Sequence, residues 1–123
     1  MQNEIKIYKV LTNIQGKYIP KLVCYGHYEG GMSFIIGTTL VGTTLGDHIT
    51  EQQKTKAIEA LKAIHDHGVL HNDVRKENIL INDNGNVHII DFGMASLEDL
   101  KKKRKSFNRE LLELSRLLDY YTM

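Results

Sequence analysis

"HNDVRKENIL" at residues 71–80 and "IIDFG" at residues 89–93 are the two fragments on which the reading of this chain turns. Asp73 stands five residues before Asn78 on a stretch that reads as a turn, and Asp91 follows at the end of a hairpin signalled by Asn84-Gly85 between two apolar runs. Three oxygen-bearing side chains are thereby expected at one edge. Such an edge suits a hard cation and a phosphate, because Mg²⁺ takes a few carboxylate or amide oxygens and leaves positions for water and phosphate. Asn78 and Asp91 are the candidate metal ligands, which leaves Asp73 to orient a hydroxyl. Turns favour Asp and Asn but do not require this spacing.

Working outward, residues 50–67 carry Ala57, Ile58, Leu61, Ile64 and His65 at helical spacing, with Thr50 as N-cap and Gln53 at the third helical position. Ile5, Tyr8 and Leu11, flanked by Val10, predict a short amphipathic helix over residues 3–12. Residues 21–28 and 32–36 are β-rich runs joined by "EGG" and are expected to pair. Towards the end, Leu111, Leu114, Leu118 and Tyr121 form one stripe of a last helix, widened by Leu112 and Leu117 and starting near Ser106. The order is helix, two strands, helix, hairpin, helix, an α+β arrangement whose natural division lies between the early strands and the later helices.

A chain of 123 residues is one small domain, and 41% apolar with 25% charged residues is an ordinary globular composition. No apolar run approaches the roughly 20 residues that cross a bilayer. "MQNEIKIYKV" lacks the sections of a signal peptide, and Cys24 is the only cysteine, so no internal disulfide forms; a cytoplasmic protein is expected. The net charge of +1 is silent about partners, but "KKKRK" at residues 101–105 is not. Such a run is most often a solvated segment, the other readings being nucleic-acid contact, nuclear import or an acidic partner. "GTTLVGTT" at residues 37–44 has the glycine spacing of a phosphate loop without its Lys and reads as turn glycines. His65, His67, His71 and His88 read as packed or solvated residues rather than a metal cluster, with His71 propping the turn before Asp73.

Taken together, the two quoted fragments, with 18 residues from Asp73 to Asp91, resemble the catalytic loop and metal loop of the protein kinase superfamily. "LKAIHDHGVLHND" resembles the helix running into that loop, "EIKIYKVL" the helix whose Glu pairs with a phosphate-gripping Lys, and "IIGTTLVGTTLGDHI" the strand and hinge that hold adenine. The resemblance implies ATP and Mg²⁺ as cofactors, Asp73 as the base that receives or orients a substrate hydroxyl, Arg75 as a cation near the transferred group, and Asn78 and Asp91 as metal ligands. It further implies that Glu4 is the ion-pair Glu, that Thr39 and Leu40 offer hinge groups, that Leu80 underlies the adenine and that Ile90 belongs to the nucleotide site. Residues 1–42 would be an N-lobe remnant with hinge, and residues 43–123 a partial C-lobe.

Departures from the family pattern are equally specific. Asn72 stands where the family has Arg, which removes an anchor for an activation-loop phosphate, and Arg75 stands where protein kinases usually have Lys. Residues 1–123 contain no glycine-rich phosphate loop, no Val-Ala-Ile-Lys strand and no Ala-Pro-Glu after Gly93. The expected function is ATP-dependent phosphoryl transfer to a Ser or Thr hydroxyl of a protein substrate, weak in these residues alone; the alternative is a pseudokinase-like binding module. No membrane or nucleic-acid partner is expected.

Overall fold

The computed structural model of the chain describes residues 2–20, 22–28, 33–38, 43–44, 48–81 and 85–122. Thr39 and Leu40, the "EGG" turn and Asn84 lie outside the described residues.

The first helix, α1 (Gln2–Val10), runs into a 3-10 turn at Thr12–Ile14. Its expected stripe is buried: Ile5, Tyr8 and Leu11 all face the interior, joined by Ile7. Strands β1 (Leu22–Tyr28) and β2 (Ser33–Thr38) pair antiparallel, Tyr25 opposite Ile36, with an irregularity between Leu22 and Cys24.

Helix α2 (Glu51–Asp66) begins with a complete capping box. Thr50 Oγ1 accepts from the Gln53 N–H, and Gln53 Oε1 accepts from the Thr50 N–H, both at 3.0 Å. Its inner face, Ala57, Ala60, Leu61 and Ile64, is almost fully buried. Gly68 ends it at φ +76, and a Cβ there would sit 3.2 Å from the Glu98 carbonyl oxygen. Only glycine fits both the backbone turn and that approach. The Gly68 carbonyl in turn accepts from the Glu98 N–H at 2.8 Å.

Two small antiparallel sheets follow. Strand β4 (Val69–Leu70) pairs with β7 (Ser96–Leu97), while β3 (Thr43–Thr44), β5 (Ile79–Ile81) and β6 (Val87–Ile89) form a three-stranded sheet with β5 central. Gly85, at φ +81, lies in the β5–β6 connection as the Asn-Gly signal predicts.

The last helix, α3 (Arg104–Tyr121), begins two residues before Ser106 because Asp99 organises the chain ahead of it. Asp99 Oδ1 accepts from the Lys101 and Lys102 N–H groups, and its carbonyl accepts from Lys103. Residues 101–105 are all exposed, as expected. Leu114 and Leu118 pack against Leu61 and Ile64 in one core with Phe92, and Leu111, Leu117 and Tyr121 are partly buried against it. Leu112 corrects the expected stripe: it is 50% exposed, lying about 100° around the helix from Leu111. The position on the buried face is held instead by Glu110.

Among the described residues the architecture is α+β, three helices with small antiparallel sheets, and no helix is long and apolar enough to cross a membrane. The Thr50 cap is expected to be worth about 1 kcal/mol, so Thr50→Ala should lower the urea-unfolding free energy by that amount. Leu112→Ala should stay within about 0.5 kcal/mol. A larger loss from Leu112→Ala than from Thr50→Ala would contradict this packing.

Candidate functional site

The turn from His71 to Asn78 hangs between β4 and β5, and its first half is shaped mainly by backbone N–H groups held by side chains, while the Asn78 N–H donates to the Arg75 carbonyl at 3.0 Å at its end. His71 is fully buried. Its Nε2 lies 2.8 Å from the Ile90 carbonyl and its Nδ1 accepts from the Asp73 N–H at 3.2 Å, so only the Nε2–H tautomer satisfies both contacts. The imidazole thus ties the turn to the residue before Asp91, the propping role expected of it.

Asn72 adopts φ +67, a left-handed conformation that Asn tolerates better than most residues. Its Nδ2 donates to the Met94 carbonyl at 3.0 Å and to Ser96 Oγ at 2.9 Å. Where the family pattern has a long cation, this chain has a short amide that pins the following segment directly.

Asp73 and Asn78 meet. Asn78 Nδ2 donates to the Asp73 carbonyl at 2.9 Å and to Asp73 Oδ2 at 3.2 Å. Both contacts use the nitrogen, which orients Asn78 Oδ1 away from Asp73. Arg75 Nε pairs with Asp73 Oδ1 at 3.3 Å while its guanidinium stays exposed. The three candidate catalytic residues therefore sit together on one turn.

Asp91 joins them through strand pairing. Ile79 lies opposite Ile89, and the Ile90 N–H donates to the Asn78 carbonyl at 2.9 Å, which delivers the next residue to the Asn78 edge. Asp91 also takes a left-handed backbone, φ +65, and its Oδ1 accepts from the Gly93 N–H at 3.3 Å. Glu4 reaches the same place from α1. Burial raises its pKa, the Asp91 charge raises it further, and a hydrogen bond from the Phe92 N–H opposes them. Tyr8 is pushed up by its own burial first and then by Glu4 and Asp91. Tyr8, Phe92 and His71 form a column of edge-on rings with centroids 5.2 Å apart at each step, which ties α1 to the turn.

The donor set fits Mg²⁺. Asn78 offers an amide oxygen and Asp91 a carboxylate, both hard ligands on neighbouring backbone, and two protein oxygens suffice for an ion that keeps water and phosphate in its shell. Of the other candidate residues, Leu80 is half-buried on β5 opposite Thr44 and His88, and Ile90 is half-buried with both backbone groups engaged at the site. The histidines are separate: His65 is bound to Glu110, His67 Nδ1 donates to the Ala63 carbonyl, and His88 is buried on β6 with its pKa lowered by that burial. Among the described residues no cluster of three or more His, Cys, Asp or Glu is placed to hold a metal.

Glu110 is the residue that sequence reasoning missed. Its carboxylate, 6% exposed, accepts from the His71 N–H at 2.9 Å, the Asn72 N–H at 2.8 Å and His65 Nε2 at 2.8 Å. Burial alone would raise its pKa; the hydrogen bonds from His65, Asn72 and His71 outweigh that and hold it below the ordinary value. An acid three residues after Phe107 and four before Leu114, on the apolar face, was the available signal.

Residues 2–111 match the protein kinase domain family model. The chain is 35% identical over 101 residues to a probable serine/threonine-protein kinase of Plasmodium falciparum, covering 72% of this chain and 20% of that protein. It is 32% identical to a probable casein kinase I homolog of Encephalitozoon cuniculi, over 76% of this chain and 32% of that one. With the serine/threonine-protein kinase chk1 of Schizosaccharomyces pombe it shares 45% identity over 87% of this chain and 20% of that protein. The chain spans about a fifth to a third of the length of these three relatives.

Because Glu110 is depressed below its ordinary value of 4.5, its stabilising contribution is present above that value and is lost as pH falls through the folded-state pKa. Glu110→Gln should cost about 1–3 kcal/mol at pH 7, since an amide presents N–H to buried N–H groups. It should also flatten the fall in melting temperature as pH drops below 4.5. Parallel pH profiles for the two proteins would contradict this role.

Proposed function

The chain belongs to the protein kinase family, and on that premise we propose that it serves phosphoryl transfer from ATP to a serine or threonine hydroxyl. The observation that supports this most is the hydrogen-bonded pair of Asp73 and Asn78 with Asp91 delivered beside it by the β5–β6 register. Phosphoryl transfer asks little covalent work of a protein; rate comes from holding donor and acceptor in line and neutralising charge.

In this reading Asp73 receives or orients the acceptor hydroxyl. Its Oδ2 is held by Asn78 and its Oδ1 by Arg75, so the carboxylate is already aimed before an acceptor arrives. Arg75, exposed at its tip, turns from Asp73 to the transferred group. Asn78 Oδ1 and the Asp91 carboxylate hold Mg²⁺, which supplies charge neutralisation at the phosphates when bound. Glu4, kept beside Asp91 by the Phe92 N–H, is the acid that a phosphate-gripping Lys would pair with, and Leu80, Ile90, Thr39 and Leu40 form the nucleotide side. Residues 1–42 act as the N-lobe part and hinge, residues 43–123 as the C-lobe part.

Residues 1–123 hold the base and the metal ligands but contain no glycine loop and no phosphate-gripping Lys, so transfer by these residues alone is expected at trace level. The same content favours a second reading, a nucleotide-binding module without catalysis. Radiolabelled transfer from ATP to a serine/threonine peptide mixture separates the two. Phosphotransferase function predicts turnover that falls by about 100-fold or more in Asp73→Asn, the usual contribution of a general base. Mg·ATP should raise the melting temperature of the unaltered chain and of Asp73→Asn, but not of Asp91→Ala. A melting shift without any Asp73-dependent transfer would select the binding module, and a shift unchanged by Asp91→Ala would remove the metal site.

A further inference from the structure

The basic run at residues 101–105 takes no part in the site described above, and its five side chains are not equivalent. The Asp99-capped turn leads into α3 so that Lys101, in the turn, and Arg104, three residues on at the helix start, line a cavity of about 580 Å³ between α2 and the start of α3. Lys102, Lys103 and Lys105 do not line it. Across the gap Lys62, on α2, adds a third cation, against the single carboxylate of Asp66. Between these charges the floor is apolar. Phe107 is buried with its ring edge-on to His65 at 4.9 Å, Leu111 is half-buried, and Leu100 is 45% exposed at the mouth.

We propose that this groove docks an acidic peptide segment of a partner protein, with one bulky apolar side chain seated on Leu100, Phe107 and Leu111 and carboxylates beside it meeting Lys62, Lys101 and Arg104. Each part of the wall selects for that chemistry. A volume of this size accepts a bulky side chain with its flanking backbone. Seating an apolar group at Leu100 removes exposed hydrocarbon from water. The three cations attract an acidic segment and repel a basic one, which gives the groove its discrimination. A membrane surface or a nucleic acid backbone would engage all five cations of the run alike. The register instead presents two of them to an apolar floor. The groove also adjoins the catalytic turn, since His65 in its wall is hydrogen bonded to Glu110, which holds His71 and Asn72.

The register supplies the test. A fluorescein-labelled peptide carrying Leu and Phe within a run of Glu and Asp is titrated by fluorescence anisotropy with the full chain and with two double variants of equal net charge. Lys101→Glu with Arg104→Glu should weaken binding about tenfold, as expected when two attractive pairs become repulsive. Lys102→Glu with Lys105→Glu should change it by less than about twofold at ordinary salt, where charges beyond the groove are screened. Lys62→Glu, on the other helix, and Leu100→Ser should each weaken it, and melting curves should coincide for all variants. Equal weakening by the two double variants would overturn the proposal, as would no uptake of the peptide by the unaltered chain. Undiminished binding of a peptide with Ser in place of Leu and Phe would also overturn it. So would displacement of the peptide by phosphatidylserine vesicles, which would assign the surface to membranes.

Discussion

A buried carboxylate that accepts three hydrogen bonds is the constraint on which the site rests. Removing a carboxylate from water is costly unless charge-assisted hydrogen bonds replace the hydration, and Glu110 receives such bonds from the His71 and Asn72 N–H groups and from His65. The two backbone donors belong to consecutive residues at the start of the His71–Asn78 turn. Holding both at once fixes the peptide plane between them and stabilises the left-handed backbone of Asn72. From there the geometry propagates: Asn72 pins Met94 and Ser96, His71 pins Asp73 and Ile90, and Asp73 pins Asn78. A helix that follows Asp91 in the chain therefore sets the shape of the turn that precedes Asp91.

The opposite side of the site is held by packing. Tyr8, Phe92 and His71 stack edge-on from α1 to the turn, so the position of Glu4 depends on the same ring that hydrogen bonds Asp73. Burial disfavours the charge of Glu4 most, and repulsion from the nearby Asp91 disfavours it further. A cation between or beside them relieves that repulsion, which is the electrostatic demand a nucleotide-bound metal would meet. The polar turn and the aromatic column thus carry complementary tasks, one holding the Asp73 carboxylate and the other keeping Glu4 beside Asp91.

Local chemistry was legible in the sequence; long-range pairing was less so. Thr50 and Gln53 announce their capping box because the partners are three residues apart, and Asp73, Asn78 and Asp91 carry a spacing that turn propensity alone does not demand. The α+β class followed from the order of periodic segments. Glu110 did not announce itself, since an acid on an apolar helical face becomes interpretable only once a turn 38 residues away presents its N–H groups. Leu112 misled for the converse reason: a leucine next to the stripe looks like part of it until the packing partner proves too narrow to cover it. The pairing of β4 with β7 was likewise hidden, because two-residue strands carry no period to detect. The early start of α3 came from Asp99, whose side chain orders the turn without belonging to the helix.

The central claim, that Asn78 and Asp91 form the metal side of a nucleotide site, is tested most directly by paramagnetic broadening in an amide-correlation NMR spectrum. Mn²⁺ replaces Mg²⁺ as the probe and is added with ATP to the isotopically labelled chain. The account predicts selective loss of the Asn78, Ile90, Asp91 and Gly93 amide signals, with those of Leu114 to Leu118 on α3 preserved, and no such pattern in Asp91→Ala. Broadening centred on another acidic group, or an unchanged pattern in Asp91→Ala, would contradict it.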